Sequence, residues 1–295
     1  MAGAVCDQPM TIPPPDGSRD RRIEDPTNLW IIHPAGRRLL PWFIARGISA
    51  NAVSVLGLIL GLLAAAAYAN WSSWPFAFLG LLFSTGWLIA DGLDGMIARA
   101  TGTASPLGRT LDGICDHGVF ALLYLVLAFS IGTREGWILA TAAGVLHAVQ
   151  SSLYEGERAR FHRRSKGVPA TAPTPSANPL VRLYDSVAGS VDRIAFRFDE
   201  TLRRAPDPAA FGRAYGDSAA APMGLMRLLT ANTRVIAIFL ACLFADPRLF
   251  FWFELLPLTV ILIAGLIWHR NVETRLLRSA GAASQQSSQS PIQRT

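Results

Sequence analysis

Residues 91–116 of this 295-residue chain read DGLDGMIARATGTASPLGRTLDGICD, and this stretch decides how the fold is interpreted. Asp91 and Asp94 are three residues apart, and Asp112 and Asp116 are four apart, so each pair occupies one face of a helix. The short connection between the pairs would fold the two helices back against each other. The stretch therefore predicts four carboxylates that meet where one apolar helix ends and the next begins.

These carboxylates have a specific chemical use. Four carboxylates beside a bilayer repel one another and are costly to desolvate. Two exposed helix ends could carry them harmlessly, but that alternative does not explain the helical spacing on both flanks of one loop. Ligands that offer only oxygen favour Mg²⁺ or Mn²⁺, which bridge carboxylates to phosphates. Gly95 and Gly108 would let a ligand come close, and Arg99 can meet a phosphate, so the residues predict a metal–diphosphate site.

The composition predicts an all-α integral membrane protein. Hydrophobic residues make up 51% of the chain and charged residues only 16%, where a soluble domain has about a quarter charged. Apolar stretches of about 17–20 residues separate the charged segments, and such lengths suit a hydrocarbon core about 30 Å thick. The net charge of +6 indicates a membrane surface rather than nucleic acid, because the aromatic residues stand in apolar blocks and not between basic residues.

Six transmembrane helices are predicted. In chain order they cover about 50–69, 74–90, 108–131, 137–154, 224–245 and 249–268. Of the 27 Lys and Arg residues, only Arg134 and Arg248 fall in the short loops after spans 1, 3 and 5. Since basic residues concentrate on the cytosolic side, both termini and the carboxylates are expected there. The expected location is a multi-pass cell membrane protein with its active site on the cytosolic face.

The remaining segments complete the expected domain organisation: a flexible cytosolic N-terminus (1–27), a membrane domain (28–278) and a disordered tail (279–295). The membrane domain is expected to open with an interfacial helix, Asn28–Arg46, and to contain a long cytosolic insertion, about 155–222, between helices 4 and 5. The insertion holds a Pro/Ala/Ser linker (165–179) and an amphipathic helix that either lies on the membrane or packs on a partner chain. Its apolar positions are Leu180, Tyr184, Val187, Val191, Ile194 and Phe198.

The 26-residue motif resembles the signature of the class I CDP-alcohol phosphatidyltransferase family, D-x2-D-G-x2-A-R-x8-G-x3-D-x3-D. The fixed positions, all of which match, are Asp91, Asp94, Gly95, Ala98, Arg99, Gly108, Asp112 and Asp116. At a background usage of ~7% per position, eight chance matches come to roughly 10⁻⁹ per starting position. The six-span layout and the cytosolic motif are also similar to the family.

The resemblance implies an enzyme of phospholipid biosynthesis. It would transfer a substituted phosphate group from a CDP-alcohol, with CDP-diacylglycerol the favoured donor, to a hydroxyl acceptor and release CMP. Asp91, Asp94 and Asp112 would hold two divalent ions, Mg²⁺ or Mn²⁺, while Asp116 would contribute as a ligand and act as the general base. The residues implied in CDP-alcohol binding are Asn51, Ser54, Gly95, Ala98, Arg99, Ser105 and Gly108. For Asn51, capping of the first span is an alternative.

The sequence leaves the acceptor open. Span 4 carries a polar stripe that includes His147 and Ser151, and span 5 carries arginines, which within a membrane face a cavity or a partner, or else snorkel to the headgroups. The candidate acceptor pocket consists of Tyr154, Arg158, Arg227 and Arg234. His117 follows the last motif aspartate, where several branches of the family that use phosphorylated polyols have Lys, and this disfavours glycerol-phosphate and inositol-phosphate acceptors.

Two other interpretations of these residues are considered. A non-catalytic membrane scaffold of the same fold would tolerate the loss of a motif aspartate, and none is lost. An intramembrane prenyltransferase also uses Asp-rich helix ends with Mg²⁺, but its two acidic motifs lie far apart in sequence and more spans are expected. The expected partners are therefore a CDP-alcohol, a hydroxyl acceptor and membrane lipids, without nucleic acid, and a homodimer is left open.

Overall fold

The computed structural model describes residues 20–104, 106–170 and 192–288, without the side chains of 106–114, 116, 192–195 and 282–288. All regular structure in these residues is helical, which confirms the predicted all-α class. The α-helices are α1 His33–Ala45, α2 Ala50–Tyr68, α3 Trp74–Ala100, α4 Pro106–Ile131, α5 Arg134–Arg164, α6 Asp192–Arg204, α7 Pro208–Met226, α8 Ala231–Leu243, α9 Arg248–Phe253 and α10 Thr259–Ser288. A π-helical turn (Asn28–Ile32) precedes α1, a 3₁₀ turn (Arg227–Leu229) follows α7, and a π-helical turn (Glu254–Leu258) joins α9 to α10.

Three helices are long and apolar enough to cross a membrane: Ala50–Tyr68, Trp74–Ala100 and the continuous run Arg248–Gly281. Pro208–Leu229 and Ala231–Leu243 together would form a fourth, bent by 43°. The apolar part of α4, His117–Ile131, is shorter. The described part of the chain thus has three or four membrane-capable helices, so that the six-span topology stays a prediction.

The predicted fifth span is not one helix. Within residues 224–245, α7 ends at Met226 and α8 begins at Ala231, because Thr230 adopts an extended backbone (φ −75°, ψ 160°). Most of α7 lies in the segment that was predicted as insertion. The last helix differs as well, since α10 continues to Ser288 and so includes residues 279–288 of the predicted disordered tail. In the insertion, α6 begins at Asp192 and ends at Arg204, while the predicted apolar positions 180–191 lie outside the described residues.

Two compact units make up the chain, where the sequence predicted one membrane domain. The first comprises the chain up to Gln150 together with Leu229–Thr259, and the second comprises Ser151–Leu228 and the chain from Val260.

Glycines allow the helices of the first unit to approach closely. A Cβ atom at Gly80 of α3 would lie 2.5 Å from the Tyr68 ring at the end of α2, and one at Gly61 of α2 would overlap Val119 of α4. At the same end of this unit, Trp71 donates from Nε1 to Ser130 Oγ over 3.0 Å, which joins the loop after α2 to the end of α4. Any larger residue at Gly61 or Gly80 would push α2 away from its neighbours.

Residues 20–27, the described part of the predicted N-terminal segment 1–27, pack within the first unit. Ile23 and Asp25 are buried. The Asp25 carboxylate accepts from the backbone N–H of Thr27 over 2.7 Å, from Thr230 Oγ1 over 3.0 Å and from Asn232 Nδ2 over 3.3 Å. These bonds tie the segment to the start of α8, and because they join residues about 205 positions apart, the sequence pattern does not disclose them. Residues 1–19 lie outside the described part.

The second unit is organised around a fully buried arginine, Arg164, at the end of α5. Its guanidinium donates to Asp199 of α6 over 2.7 Å and also to Glu273 of α10. Burial alone would raise the pKa of the Asp199 carboxyl, but the hydrogen bonds and charge of Arg164 outweigh burial and hold that pKa below its usual value. Asp199 therefore stays ionised beside the arginine.

Candidate active site

Asp91 and Asp94 lie inside α3 and not at its end, because the helix continues to Ala100. Their spacing places both on one face, as predicted. Asp94 is buried, whereas Asp91 is partly exposed. Gly102 ends the helix: its positive φ of 66° is the left-handed conformation found after helix C-termini, and Thr103 N then reaches Ala98 O over 3.0 Å. A glycine directly after an apolar helix is a recognised stop signal, so the end of α3 could have been predicted from Gly102.

A hydroxyl of the preceding helix holds the Asp94 carboxylate. Ser54 of α2 donates from Oγ to Oδ2 of Asp94 over 2.5 Å, and both residues are buried. A carboxylate that receives a buried hydrogen bond has a fixed orientation, as the metal ligands of many sites do. The Ser54 hydroxyl donates its proton to Asp94. The nucleotide contact that was predicted for Ser54 stays a prediction. Capping of α2 falls to Ser49, whose Oγ accepts from Ala52 N over 3.2 Å, while Asn51 is exposed.

The Arg99 side chain lies against Gly95, the residue after Asp94. A Cβ atom at Gly95 would lie 3.2 Å from Nη1 of Arg99, so the exposed guanidinium folds back over the glycine. Behind the motif, α1 packs closely on α3, since a Cβ atom at Gly36 would lie 3.3 Å from Met96 Sδ. Glycine at position 95 thus leaves room where Arg99 presents its charge, and Ala98, one turn away, is half-buried.

The other half of the predicted metal site lies on α4. This helix begins at Pro106, six positions after α3 ends at Ala100. The backbone of α4 places Asp112 and Asp116 on one helical face. Their side chains lie outside the described part, as do the environment of Gly108 and all of Ser105. Within the described residues, no three His, Cys, Asp or Glu side chains come together as a metal site.

The chemistry of the described half fits a divalent cation. Asp91 and Asp94 offer oxygen ligands only, the set that Mg²⁺ and Mn²⁺ prefer. Asp94 is oriented by Ser54, and the missing side chain at Gly95 lets the Arg99 guanidinium come close to the motif. The residues present therefore suit a metal that bridges carboxylates to a phosphate group.

Arg234 is not free to line an acceptor pocket, which corrects the prediction for this residue. It is fully buried in the first unit, and its guanidinium donates to Glu254 over 2.9 Å and to Gln150 Oε1 over 2.8 Å. A further bond goes to the carbonyl of Leu229. An intramembrane arginine must face a cavity or a partner, and the structure provides the partner. Glu254 on the sixth predicted span carries the opposite charge, so the pair could have been suspected from the sequence.

The other three candidates for the acceptor pocket belong to the second unit. Tyr154 is buried, Arg227 is half-buried in the 3₁₀ turn, and Arg158 is paired with Glu155 over 2.9 Å. In the first unit, His147 is buried and lies 3.2 Å from Tyr124 Oη through its Nδ1 atom. His147 therefore has the packing role that a lone histidine on an apolar face often has.

Comparison with known proteins agrees with the motif. Residues 47–178 match the family model described as CDP-alcohol phosphatidyltransferase. The chain is similar to cholinephosphotransferase 1 of Gallus gallus, with 30% identity over 116 residues, which cover 37% of this chain and 32% of that protein. The chain thus spans about a third of the length of this curated relative. The family inferred from residues 91–116 is confirmed: the chain carries a CDP-alcohol phosphatidyltransferase domain over residues 47–178.

Proposed function

We propose that this protein transfers a substituted phosphate group from a CDP-alcohol to a hydroxyl acceptor, with release of CMP, in phospholipid biosynthesis. The observation that carries the proposal is the family domain over residues 47–178, which contains the complete motif. The buried bond between Ser54 and Asp94 is consistent with it, because it fixes the orientation of a carboxylate that would hold a metal. The concentration of Lys and Arg in predicted cytosolic segments supports a site on the cytosolic face.

In the proposed mechanism, Asp91, Asp94 and Asp112 hold two divalent ions with help from Asp116. The ions, when bound, neutralise charge on the diphosphate and on the leaving oxygen. Arg99 contacts a phosphate beside Gly95. Asp116 accepts the proton of the acceptor hydroxyl, whose oxygen bonds to the β-phosphorus as the bond from that phosphorus to CMP breaks. Arg158 and Arg227 keep their proposed role in binding an anionic acceptor.

Two donors are proposed. The sequence favours CDP-diacylglycerol, whereas the name of the relative, a cholinephosphotransferase, favours CDP-choline with a lipid acceptor. The reconstituted full-length protein should release CMP from one of the two, given CDP-diacylglycerol with a panel of alcohols or CDP-choline with diacylglycerol. A chelator should abolish the release, and Mg²⁺ or Mn²⁺ should restore it. The absence of CMP release from both donors would contradict the proposed function, and chelator-resistant release would contradict its metal dependence.

Replacing Ser54 by Ala is expected to raise the Mg²⁺ concentration needed for half-maximal activity by about 10–100-fold, the usual effect of losing a hydrogen bond to a metal ligand. Ser54→Thr, the matched control, keeps the hydroxyl and should stay near wild type. The measurement is a Mg²⁺ titration of CMP release for the three proteins. An unchanged Mg²⁺ requirement in Ser54→Ala, accompanied by a raised donor KM, would indicate the nucleotide contact instead.

A further inference from the structure

A cleft of about 510 Å³ lies between α6 and α10 in the second unit. Its lining combines two arginines with apolar and hydroxyl side chains. The lining residues are Phe196, Arg197, Glu200, Thr201, Thr274, Leu277 and Arg278. The first four of these residues belong to α6 and the last three to α10. Both helices lie outside residues 47–178, which match the family model. The cleft therefore belongs to the part of the chain whose use the family does not explain.

The charges in this cleft favour an anion. Arg197 and Arg278 are exposed, and within the described residues no hydrogen bond or ion pair engages either guanidinium group. The Glu200 carboxylate, by contrast, is neutralised by Arg204 at 2.7 Å and by Arg203. Two guanidinium groups are thus available for an anionic ligand, and guanidinium geometry matches phosphate.

The hydroxyl groups of the cleft are already committed. Thr201 donates to the carbonyl of Arg197 over 2.9 Å, and Thr274 donates to the carbonyl of Arg270 over 2.8 Å. Recognition of an anion therefore falls to Arg197 and Arg278, one from each helix.

The position of the cleft indicates a lipid rather than a soluble anion. Thr274, Leu277 and Arg278 lie in the last turns of the membrane-capable run Arg248–Gly281. At 1.5 Å per residue, these turns are about 40–45 Å from Arg248, roughly the thickness of a bilayer with its headgroups. Phe196 is 65% exposed beside Arg197, and an apolar ring next to a basic side chain is typical of the membrane interface.

We propose that this cleft binds the phosphate headgroup of an anionic phospholipid, with Arg197 and Arg278 contacting the phosphate and Phe196 and Leu277 contacting the acyl region. None of the lining residues belongs to the carboxylate motif, and the proposal does not depend on the proposed function. An arginine near an anionic lipid surface contributes about fivefold in affinity, so the pair should contribute about 25-fold.

The test is a calorimetric titration of the detergent-solubilised full-length protein with dihexanoyl phosphatidic acid, which gives the Kd of the lipid. Divalent ions are left out so that the carboxylate motif does not bind the phosphate. The double variant Arg197→Gln/Arg278→Gln should raise the Kd by about 25-fold. Arg275→Gln is the matched control, because Arg275 is exposed on the same helix and is not among the lining residues, and it should change the Kd by less than about twofold.

Two further ligands separate the sources of the phosphate. Dihexanoyl phosphatidylcholine, which has no net charge, and inorganic phosphate, which has no acyl chain, should each bind at least about tenfold more weakly than phosphatidic acid. Inorganic phosphate that binds as tightly as the lipid would overturn the lipid assignment. An unchanged Kd in the double variant, or an equal loss in Arg275→Gln, would overturn the site itself.

Discussion

Replacement of Asp116 by Asn is expected to lower turnover by a factor of about 10²–10⁴, the usual contribution of general acid–base catalysis. Asparagine keeps the size of the side chain and one oxygen acceptor but cannot take the proton of the acceptor hydroxyl. Two divalent ions held by the motif would favour the ionised carboxylate of Asp116 in the wild type. The variant should therefore fold and still bind a CDP-alcohol with metal. The measurement is donor binding, determined separately from CMP release.

Two further variants show whether the loss of turnover in Asp116→Asn comes from the loss of the general base. Asp91→Asn removes a proposed metal ligand, so it should weaken metal and donor binding instead of turnover alone. Arg227→Ala should raise the KM of an anionic acceptor and leave donor affinity near normal. Near wild-type turnover in Asp116→Asn would show that another group deprotonates the acceptor, and His117, the exposed next residue, would be examined first.

Replacement of Arg234 by Met is expected to destabilise the protein by about 3–5 kcal/mol, the usual effect of breaking a buried ion pair. The reason is that Glu254, which is fully buried, would keep its charge without the cation, and Gln150 Oε1 would lose its donor. The measurement is thermal unfolding of the purified protein in detergent, together with acceptor KM.

The double variant Arg234→Met/Glu254→Leu is the control for that experiment. Because it removes both charges, it should recover much of the stability that the single variant loses. Unchanged stability in Arg234→Met, accompanied by a higher acceptor KM, would contradict the structural role and return Arg234 to the acceptor pocket.

Helices with uniform apolar character could be predicted from the sequence, whereas the break in the fifth span was signalled only weakly. α2 and α3 begin where the apolar runs at Ala50 and Trp74 begin. Residues 224–245, in contrast, contain two arginines and the polar residues Thr230, Asn232 and Thr233. Thr230 precedes α8 as its N-cap, and threonine at such a position is a weak sequence signal for the start of a helix. The bend depends on long-range contacts, such as the bond from Thr230 to Asp25.

The site could be predicted as a set of residues but not as a set of bonds. The spacing of Asp91 and Asp94 on one face follows from helix geometry and holds in α3. The contact of Ser54 with Asp94 joins residues 40 positions apart, and nothing in either local pattern specifies it. For Arg234, the sequence indicated a buried partner or a cavity, and only the packing of α8 against Glu254 decides between them.

The bond between Ser54 and Asp94 also bears on how the chain is made. Its partners lie on consecutive helices, so both are synthesised before α4. A carboxylate in an apolar helix raises the free energy of inserting that helix into the lipid phase. A hydrogen bond from a hydroxyl on the preceding helix lowers this cost. The pairing of Arg234 with Glu254 must wait for the last helices. The α2–α3 hairpin is thus equipped to enter the membrane as a unit during translation, with half of the carboxylate motif already in place.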